Sequence, residues 1–216
     1  MSGARELERD EAALAYGLAR MTSALSRGIQ DRRIVAAMAS VPRDRFVPPA
    51  FRLQAYDDRA LPLPEGQTIS QPMMVALMLE AAQLRAEDRT LEVGTGSGYG
   101  AAVLSRLVRE VVTVERVRGL LETARAVLHD LGYENISVVD AGDMLGAPER
   151  APYDAIVVTA GAPHVPRTLL DQLGDGGRLV LPVGTLRSQE LVRATKTPHG
   201  VELARLGACA FVPLIG

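Results

Sequence analysis

The residues with the clearest chemical meaning form a glycine-rich segment at positions 91–99, which reads LEVGTGSGY. An apolar run leads into the glycines and a helical pattern follows them, so the backbone can approach a ligand closely at this turn. A dinucleotide-binding turn would need its third glycine where Tyr99 stands, and a phosphate-binding loop would need a Gly-Lys pair that this segment lacks. The pattern is instead acidic-x-Gly-x-Gly-x-Gly, starting at Glu92, and it predicts a different kind of ligand-binding turn.

Two further carboxylates follow the next predicted strands. Glu115 comes directly after the apolar run 111–114. We expect it to accept hydrogen bonds from both hydroxyls of a ribose, as the acid on the adjacent strand does in nucleotide-binding folds, or else to be a solvated charge at a strand end. Asp143 follows Gly142 after the third strand. It is placed to face the edge of an adenine, or to form a simple Asx turn.

The elements that must position these residues alternate along the chain. From residue 90 onward the hydrophobic pattern predicts strands at 91–93, 111–114, 136–139, 155–158 and 178–181, and helices at 99–108, 117–131 and 166–173. Such alternation requires a parallel sheet covered on both faces. The segments 190–194 and 201–214 have strand periodicity without a helix between them, which predicts an antiparallel pair at the sheet edge. The predicted fold class is therefore a doubly wound, mostly parallel, Rossmann-like α/β fold.

The first 84 residues have a different character. Apolar residues at helical spacing from Leu14 to Leu25 predict one helix, a second begins at Asp31, and a third covers 73–84. The prolines between residues 56 and 72 predict an extended loop. We expect a single domain over 1–216, with a helical and loop part at 1–84 and a cofactor-binding α/β part at 85–216.

Composition excludes several classes of function. The chain has 216 residues, of which 47% are hydrophobic and 23% charged, as in an ordinary globular protein. A net charge of -2 offers no footprint for a nucleic acid, and one cysteine with three dispersed histidines predicts neither a disulfide nor a metal site. No apolar run is long enough for a membrane helix, and the N-terminus lacks the apolar core of a secretory signal. We expect a cytoplasmic monomer without membrane or nucleic-acid partners.

The glycine segment resembles motif I of class I methyltransferases, in which the first βα turn holds the amino acid end of S-adenosylmethionine. S-adenosylmethionine is a zwitterion with a sulfonium and does not need a loop that binds pyrophosphate. This agrees with the lack of a Gly-Lys pair in the segment. The resemblance implies that Glu92 holds the methionine amino group or instead caps the loop. It also implies that the turn itself binds this cofactor through Gly94, Thr95, Gly96, Ser97 and Gly98.

A more specific resemblance spans nearly the whole chain. The segment GQTISQP at 66–72 closely resembles the segment that precedes motif I in protein-L-isoaspartate O-methyltransferases. Further similar segments follow the family's order at 41–48, 55–58, 151–156, 176–184 and 211–214. The chain departs from the family at Gly100, where a longer polar residue is common, at Met144, where a second glycine is usual, and around Ala147, where an aromatic residue is common.

This resemblance implies methyl transfer from S-adenosylmethionine to the α-carboxylate of an L-isoaspartyl residue in proteins and peptides, with S-adenosylhomocysteine as the product. The methyl ester would cyclise to a succinimide, and hydrolysis would return some normal aspartate. Such a carboxylate is already ionised at neutral pH, so no general base is needed. The resemblance implies that Ser70 is the catalytic residue, that Thr68 and Ile69 line the same cleft, and that Asp143 and Met144 complete the cofactor site. Ser70 has the alternative of capping the helix that begins near Pro72.

Three other functions fit parts of the pattern. The chain could methylate an ordinary aspartate in a dedicated peptide, or bind S-adenosylmethionine without catalysis. Methylation of a small-molecule hydroxyl would need a metal or a base beside the acceptor, and the sequence offers neither convincingly.

Overall fold

Residues 2–81 form three α-helices and a short hairpin in the computed structural model, which describes residues 2–185 and 187–214, with side chains from residue 7. The elements are α1 (Ser2–Gly28), α2 (Arg32–Ser40), β1 (Leu61–Pro62), β2 (Thr68–Ile69) and α3 (Pro72–Ala81). The Asp31 carboxylate accepts the Arg33 N–H at 2.9 Å and so caps α2, as predicted. The predicted extended loop at 56–72 contains one short hairpin, in which β1 and β2 pair antiparallel across a turn. Prolines are tolerated in so short a hairpin because both strands are edges.

The described residues beyond the hairpin form a seven-stranded sheet. Its strands are β3 (Arg89–Val93), β4 (Glu110–Glu115), β5 (Ile136–Asp140), β6 (Tyr153–Val158), β7 (Leu173–Thr185), β8 (Ser188–Thr197) and β9 (Gly200–Cys209). The spatial order is β5-β4-β3-β6-β7-β8-β9. The first five strands in this order are parallel, and β8 and β9 continue the sheet antiparallel. The predicted fold class and the antiparallel pair at the edge are confirmed. The order reverses between β3 and β6, where ligands bind in open α/β sheets.

The remaining helices are α4 (Tyr99–Leu104), α5 (Arg118–Asp130) and α6 (Arg167–Leu170). Helix α4 is shorter than the predicted 99–108 because its last turn tightens, with the Leu107 N–H bonded to the Leu104 carbonyl at 2.8 Å. Helix α6 is shorter than the predicted 166–173 because β7 already begins at Leu173. The predicted final strand also ends early, at Cys209, and residues 211–214 leave the sheet. They run beside Gly161, whose N–H donates to the Val212 carbonyl at 2.8 Å.

Helix α3 ends at Ala81 instead of the predicted residue 84. Gln83 takes a left-handed conformation, with φ of 49°, which stops the helix. The guanidinium of Arg178 donates to the carbonyls of Ala82 and Gln83, so this end of α3 is fastened to β7. The helix that follows the hairpin is therefore fixed against the sheet.

Alternating side chains of the sheet face two hydrophobic clusters. The cluster on one face joins the N-terminal helices to the sheet and includes Leu25, Met38, Leu79, Leu104, Val157 and Val180. The cluster on the other face includes Leu91, Ile156, Leu169 and Leu179. Burial of this apolar surface stabilises the packing of the hairpin and α3 against the sheet. Residues 68–70 therefore lie at the carboxyl ends of the strands. Among the helices of the described residues, none has the length and apolar character needed to cross a membrane.

Candidate active site

A cleft opens at the carboxyl ends of β3, β4 and β6, between these strands and the hairpin. The predicted site residues that line it are Thr68, Ile69, Ser70, Glu92, Gly94, Thr95, Gly96, Ser97, Glu115 and Met144. Two predicted cofactor residues, Gly98 and Asp143, lie outside this lining. The structure thus brings the glycine turn and the 68–70 segment, which are far apart in sequence, to one cavity.

The glycine turn uses its three glycines for different purposes. All three have positive φ, of 97°, 53° and 89° at Gly94, Gly96 and Gly98. A Cβ at Gly94 would collide with the Thr159 hydroxyl, whereas one at Gly98 would press on Ala124 and Leu128 of α5. Gly98 is therefore needed for helix packing, and we assign it no contact with the cleft. At Gly96 a Cβ would meet nothing closer than 3.8 Å, so the backbone there is open to a ligand.

Glu115 is held at the end of β4 by backbone donors. One carboxylate oxygen accepts the Gly96 N–H at 2.9 Å, and the other accepts the N–H groups of Arg116 and Val117, both at 2.9 Å. Only 8% of the residue is exposed. The alternative of a solvated charge at a strand end is therefore wrong. Two carboxylate oxygens offer about four acceptor sites, so the carboxylate can still accept a hydroxyl from a ligand in the cleft.

Glu92 lies beneath the glycine turn and is 1% exposed. Its carboxyl accepts the Thr113 hydroxyl at 2.6 Å, and Thr113 in turn lies 2.7 Å from the Thr95 hydroxyl. Burial raises the pKa of Glu92 to about 8, while hydrogen bonds from Thr113 and the Ala101 N–H oppose the shift. Glu92 is therefore linked to the glycine turn through Thr113 and Thr95, and both of its predicted roles, capping the loop and holding an amino group, stay predictions. It also lines the cleft, where a ligand cation would stabilise its charged form.

The departure at Gly100 has a packing explanation. A Cβ at this position would collide with the carboxyl of Glu92. The glycine lets the first turn of α4 rest directly on the acid, so a longer side chain at 100 would require Glu92 to move.

Ser70 does not cap the following helix. The N-cap residue of α3 is Gln71, which makes no side-chain capping bond, and the Asp58 carboxylate accepts the Met73 N–H at 2.8 Å instead. The capping alternative for Ser70 is therefore wrong, and Ser70 lines the cleft. Its carbonyl accepts a hydrogen bond from the buried guanidinium of Arg43 at 2.7 Å.

The turn after β5 leaves Asp143 outside the cleft. The Asx turn at this place is made by Asp140, whose carboxylate accepts the Gly142 N–H at 2.9 Å. Gly142 then reverses the chain with a φ of 51°, and Asp143 projects fully into solvent, 3.8 Å from the guanidinium of Arg116. Met144 lies on the rim of the cleft and is 59% exposed.

The sequence analysis missed several residues that shape the cleft. Thr159 comes directly after β6, a position like that of Glu115 at the end of β4, and this position could have identified it from the sequence. Its hydroxyl donates to the Gly94 carbonyl at 2.8 Å. Residues 212–214 line the cleft although they were predicted as strand. Arg43 and Asp58 carried no local signal of this kind, since each acts on a segment distant in the chain.

The parallel sheet, the glycine turn after its central strand, the acid at the end of the next strand and the cleft between them define a class I methyltransferase, whose methyl donor is S-adenosylmethionine. The family model described as protein-L-isoaspartate(D-aspartate) O-methyltransferase matches residues 20–216. The chain belongs to this family.

Individual relatives agree with this assignment. The chain is 55% identical to protein-L-isoaspartate O-methyltransferase 1 of Geotalea uraniireducens, over 89% of each chain. It is 52% identical to the protein-L-isoaspartate O-methyltransferase of Methanoculleus marisnigri, over 88% of this chain and 87% of that protein. A solved protein-L-isoaspartate O-methyltransferase superposes with a TM-score of 0.81 at 32% identity, covering 92% of this chain and 66% of that one.

A second solved structure bears on the cofactor. The Plasmodium falciparum protein described as a putative protein-L-isoaspartate O-methyltransferase, in complex with S-adenosyl-L-homocysteine, gives a TM-score of 0.78 at 26% identity. It covers 91% of this chain and 97% of that one. S-adenosylhomocysteine is what remains of S-adenosylmethionine after its methyl group has been transferred.

Proposed function

We propose that this chain methylates the free α-carboxylate of L-isoaspartyl residues in damaged proteins and peptides, and so starts their return to aspartate. The observation that carries the proposal is the meeting of the glycine turn, Glu115 and the 68–70 segment in one cleft. The family membership supports the same reaction.

The residues on the strand side fit S-adenosylmethionine. At Gly96 the backbone is open to the cleft, and the buried carboxylate of Glu115 has about one acceptor site left for a ribose hydroxyl. Glu92 provides a carboxyl for the methionine ammonium. When bound, the cofactor supplies an electrophilic methyl group on a sulfonium. The chain's own part is to bind the nucleoside and the amino acid end and to hold them in one orientation.

The residues of the hairpin side would hold the acceptor. An α-carboxyl has a reference pKa of about 3.3 to 3.7 and is ionised at neutral pH, so the site needs no base. Ser70 would donate its hydroxyl to this carboxylate and hold one oxygen toward the cofactor. Thr68 and the buried Ile69 would flank the backbone of the substrate and exclude water.

The proposed roles of Asp143 and Met144 require the turn at 141–144 to move toward the cleft. Asp143 would reach an adenine edge by a small rotation of the turn at 141–144, where Gly142 provides a flexible point, and Met144 would cover the ring. We further propose that the enzyme acts as a monomer. We also propose that it acts without nucleic acid, which its net charge of -2 supports. The cytoplasmic location expected from the sequence stays a prediction.

The test is methyl uptake by two short peptides that differ only in carrying L-isoaspartate or L-aspartate at one position. The isoaspartyl residue has an extra backbone methylene and the same charge, so discrimination must come from a cleft that holds the backbone on both sides. We expect labelling of the isoaspartyl peptide alone. Equal labelling of both peptides would overturn the repair function, and cofactor binding without any transfer would indicate a non-catalytic binder.

A further inference from the structure

Arg43 is a buried arginine between α2 and the hairpin, in a short 3-10 turn at Arg43–Arg45. None of its surface is exposed. Its Nε donates to the Ala55 carbonyl and its Nη2 to the Ser70 carbonyl, both at 2.7 Å. The guanidinium also lies over the ring of Tyr99, 4.6 Å from the ring centroid.

The charge of Arg43 has weak local compensation. Its partners are two carbonyls and one ring, and the carboxylate of Asp58, whose charge acts on it from a distance, is already bonded to the Met73 N–H. Among the residues that the structure describes, the buried Nη1 of Arg43 and the buried hydroxyl of Tyr99 make no hydrogen bond of ordinary geometry, although the two side chains interact with each other. Burying a cation in this way costs stability compared with an apolar side chain of similar size. The burial of this charge by itself therefore gives no stability that would account for an arginine here.

The contacts of Arg43 join the two halves of the cleft. Ser70 belongs to the proposed substrate segment, and Tyr99 is the first residue of α4, directly after the glycine turn. Both residues line the cleft, whereas Arg43 does not. A planar guanidinium can bond a carbonyl at its edge while its face rests on an aromatic ring, an arrangement that a lysine ammonium does not reproduce.

We propose that Arg43 is a positioning residue that holds the Ser70 segment at a fixed distance from the glycine turn. It acts on the reaction through Ser70 and does not touch either substrate. The inference rests on the proposed function, because it concerns the alignment of the acceptor carboxylate with the methyl donor.

The test compares Arg43→Lys and Arg43→Gln with the wild-type enzyme by steady-state kinetics on the isoaspartyl peptide and by titration of S-adenosylhomocysteine. We expect kcat/KM for the peptide to fall at least about tenfold, because each variant loses the guanidinium whose Nη2 bonds the Ser70 carbonyl while its face rests on Tyr99. The dissociation constant of S-adenosylhomocysteine should change less than about threefold, because the strand-side bonds of the cofactor site do not include Arg43. Arg45→Lys is the matched control, since Arg45 lies in the same turn and is exposed.

A double-mutant cycle separates positioning from mere structural support. If Arg43 acts through Ser70, then Arg43→Lys should change kcat/KM less than about threefold in a Ser70→Ala background. Additive losses would overturn the proposal, as would a parallel loss of cofactor affinity. Failure of both Arg43 variants to fold in a thermal melt would also overturn it, because Arg43 would then be a structural residue. A wild-type enzyme that ignores the isoaspartyl peptide would instead refute the proposed function itself.

Discussion

The two sides of the cleft are built in different ways. The side that we propose binds the cofactor, called the cofactor side, consists of neighbouring strand ends tied by backbone bonds, such as those from Gly94 and Thr95 to the Val114 carbonyl at 2.9 and 3.1 Å. The side that we propose binds the acceptor, called the substrate side, is a short hairpin held by distant side chains: Arg43 bonds Ser70, and Asp58 bonds the first turn of α3. The sheet thus fixes the cofactor side in advance, whereas a few long-range contacts fix the substrate side. Substitutions should therefore affect the binding of the two substrates separately.

The largest effect confined to one side of the cleft is expected at Glu115, on cofactor affinity. Glu115→Ala removes the acceptor of three backbone N–H groups and of the proposed ribose hydroxyl, and hydrogen bonds to charged groups are worth about 1.5 to 3 kcal/mol each. We expect the dissociation constant of S-adenosylmethionine to rise about a hundredfold or more in titration calorimetry. Glu110→Ala, at the other end of the same strand, removes a partly exposed ion pair with Arg89 and should have little effect. An affinity within about threefold of the wild type would refute the ribose assignment.

Glu92→Gln should change how the cofactor side responds to pH. Because burial raises the pKa of Glu92 to about 8 in the folded state, from 4.5 when unfolded, the folded state keeps its proton while the unfolded state loses it. The stabilisation is complete below about pH 4.5 and is lost as pH rises to about 8. The wild type should therefore melt at progressively lower temperature over this window, and Glu92→Gln should flatten the dependence.

Cofactor binding offers a second test of Glu92. A bound ammonium favours the ionised carboxylate, so binding near pH 7 should release up to about one proton, measurable as an enthalpy that varies with the buffer. Glu92→Gln should abolish this release and weaken binding about tenfold. Glu122→Gln, an exposed carboxyl on α5, is the control and should leave both properties unchanged. Buffer-independent binding by the wild type would mean that Glu92 does not meet the cofactor's charge.

A smaller effect, on the substrate side, is expected at Asp58. Asp58→Ala removes the cap of α3, which costs about 1 kcal/mol and about 2 to 4 °C in Tm. The KM for the isoaspartyl peptide should rise a few-fold while cofactor affinity stays constant. The neighbouring Asp57→Ala, which breaks only ion pairs with Arg20 and Arg59 at the surface, is the control. Equal effects of the two substitutions on KM would show that the cap does not position the substrate segment.

The smallest effect is expected at Asp143. Its carboxylate is fully exposed, so any bond to an adenine must offset the cost of ordering the turn. We expect Asp143→Asn to weaken cofactor affinity by less than about fivefold, far less than Glu115→Ala. A loss as large as that at Glu115 would mean that the turn closes firmly over the bound nucleoside.

The same contrast explains which parts of the site could be predicted from the sequence. The glycine turn and Glu115 are local signals, because a strand, its loop and its terminal acid are adjacent in the chain and meet at one edge of a parallel sheet. The contacts of Arg43 with Ser70 and of Asp58 with Met73 span 27 and 15 residues and carry no periodic pattern. The resemblance to a family marked residues 68–70 as the proposed substrate segment, but the residues that hold this segment in place could be found only from the structure.

The predicted ends of α3 and of the last strand were wrong because tertiary contacts set the real ends. Helix α3 ends early because Gln83 turns left-handed, where Arg178 of β7 bonds the carbonyls of Ala82 and Gln83 just beyond the helix. The chain beyond Cys209 leaves the sheet to line the cleft. Neither event changes the hydrophobic period of the sequence, so a pattern analysis extends the helix and the strand too far.

The separation of the two sides is tested most directly by Ser70→Ala, measured in parallel by titration of S-adenosylmethionine and by turnover of the isoaspartyl peptide. We predict an unchanged dissociation constant for the cofactor and a loss of turnover of about tenfold or more, because the proposed contact of the hydroxyl is with the acceptor carboxylate alone. Full turnover would contradict the assignment of Ser70, and an equal loss of cofactor affinity would contradict the independence of the two sides.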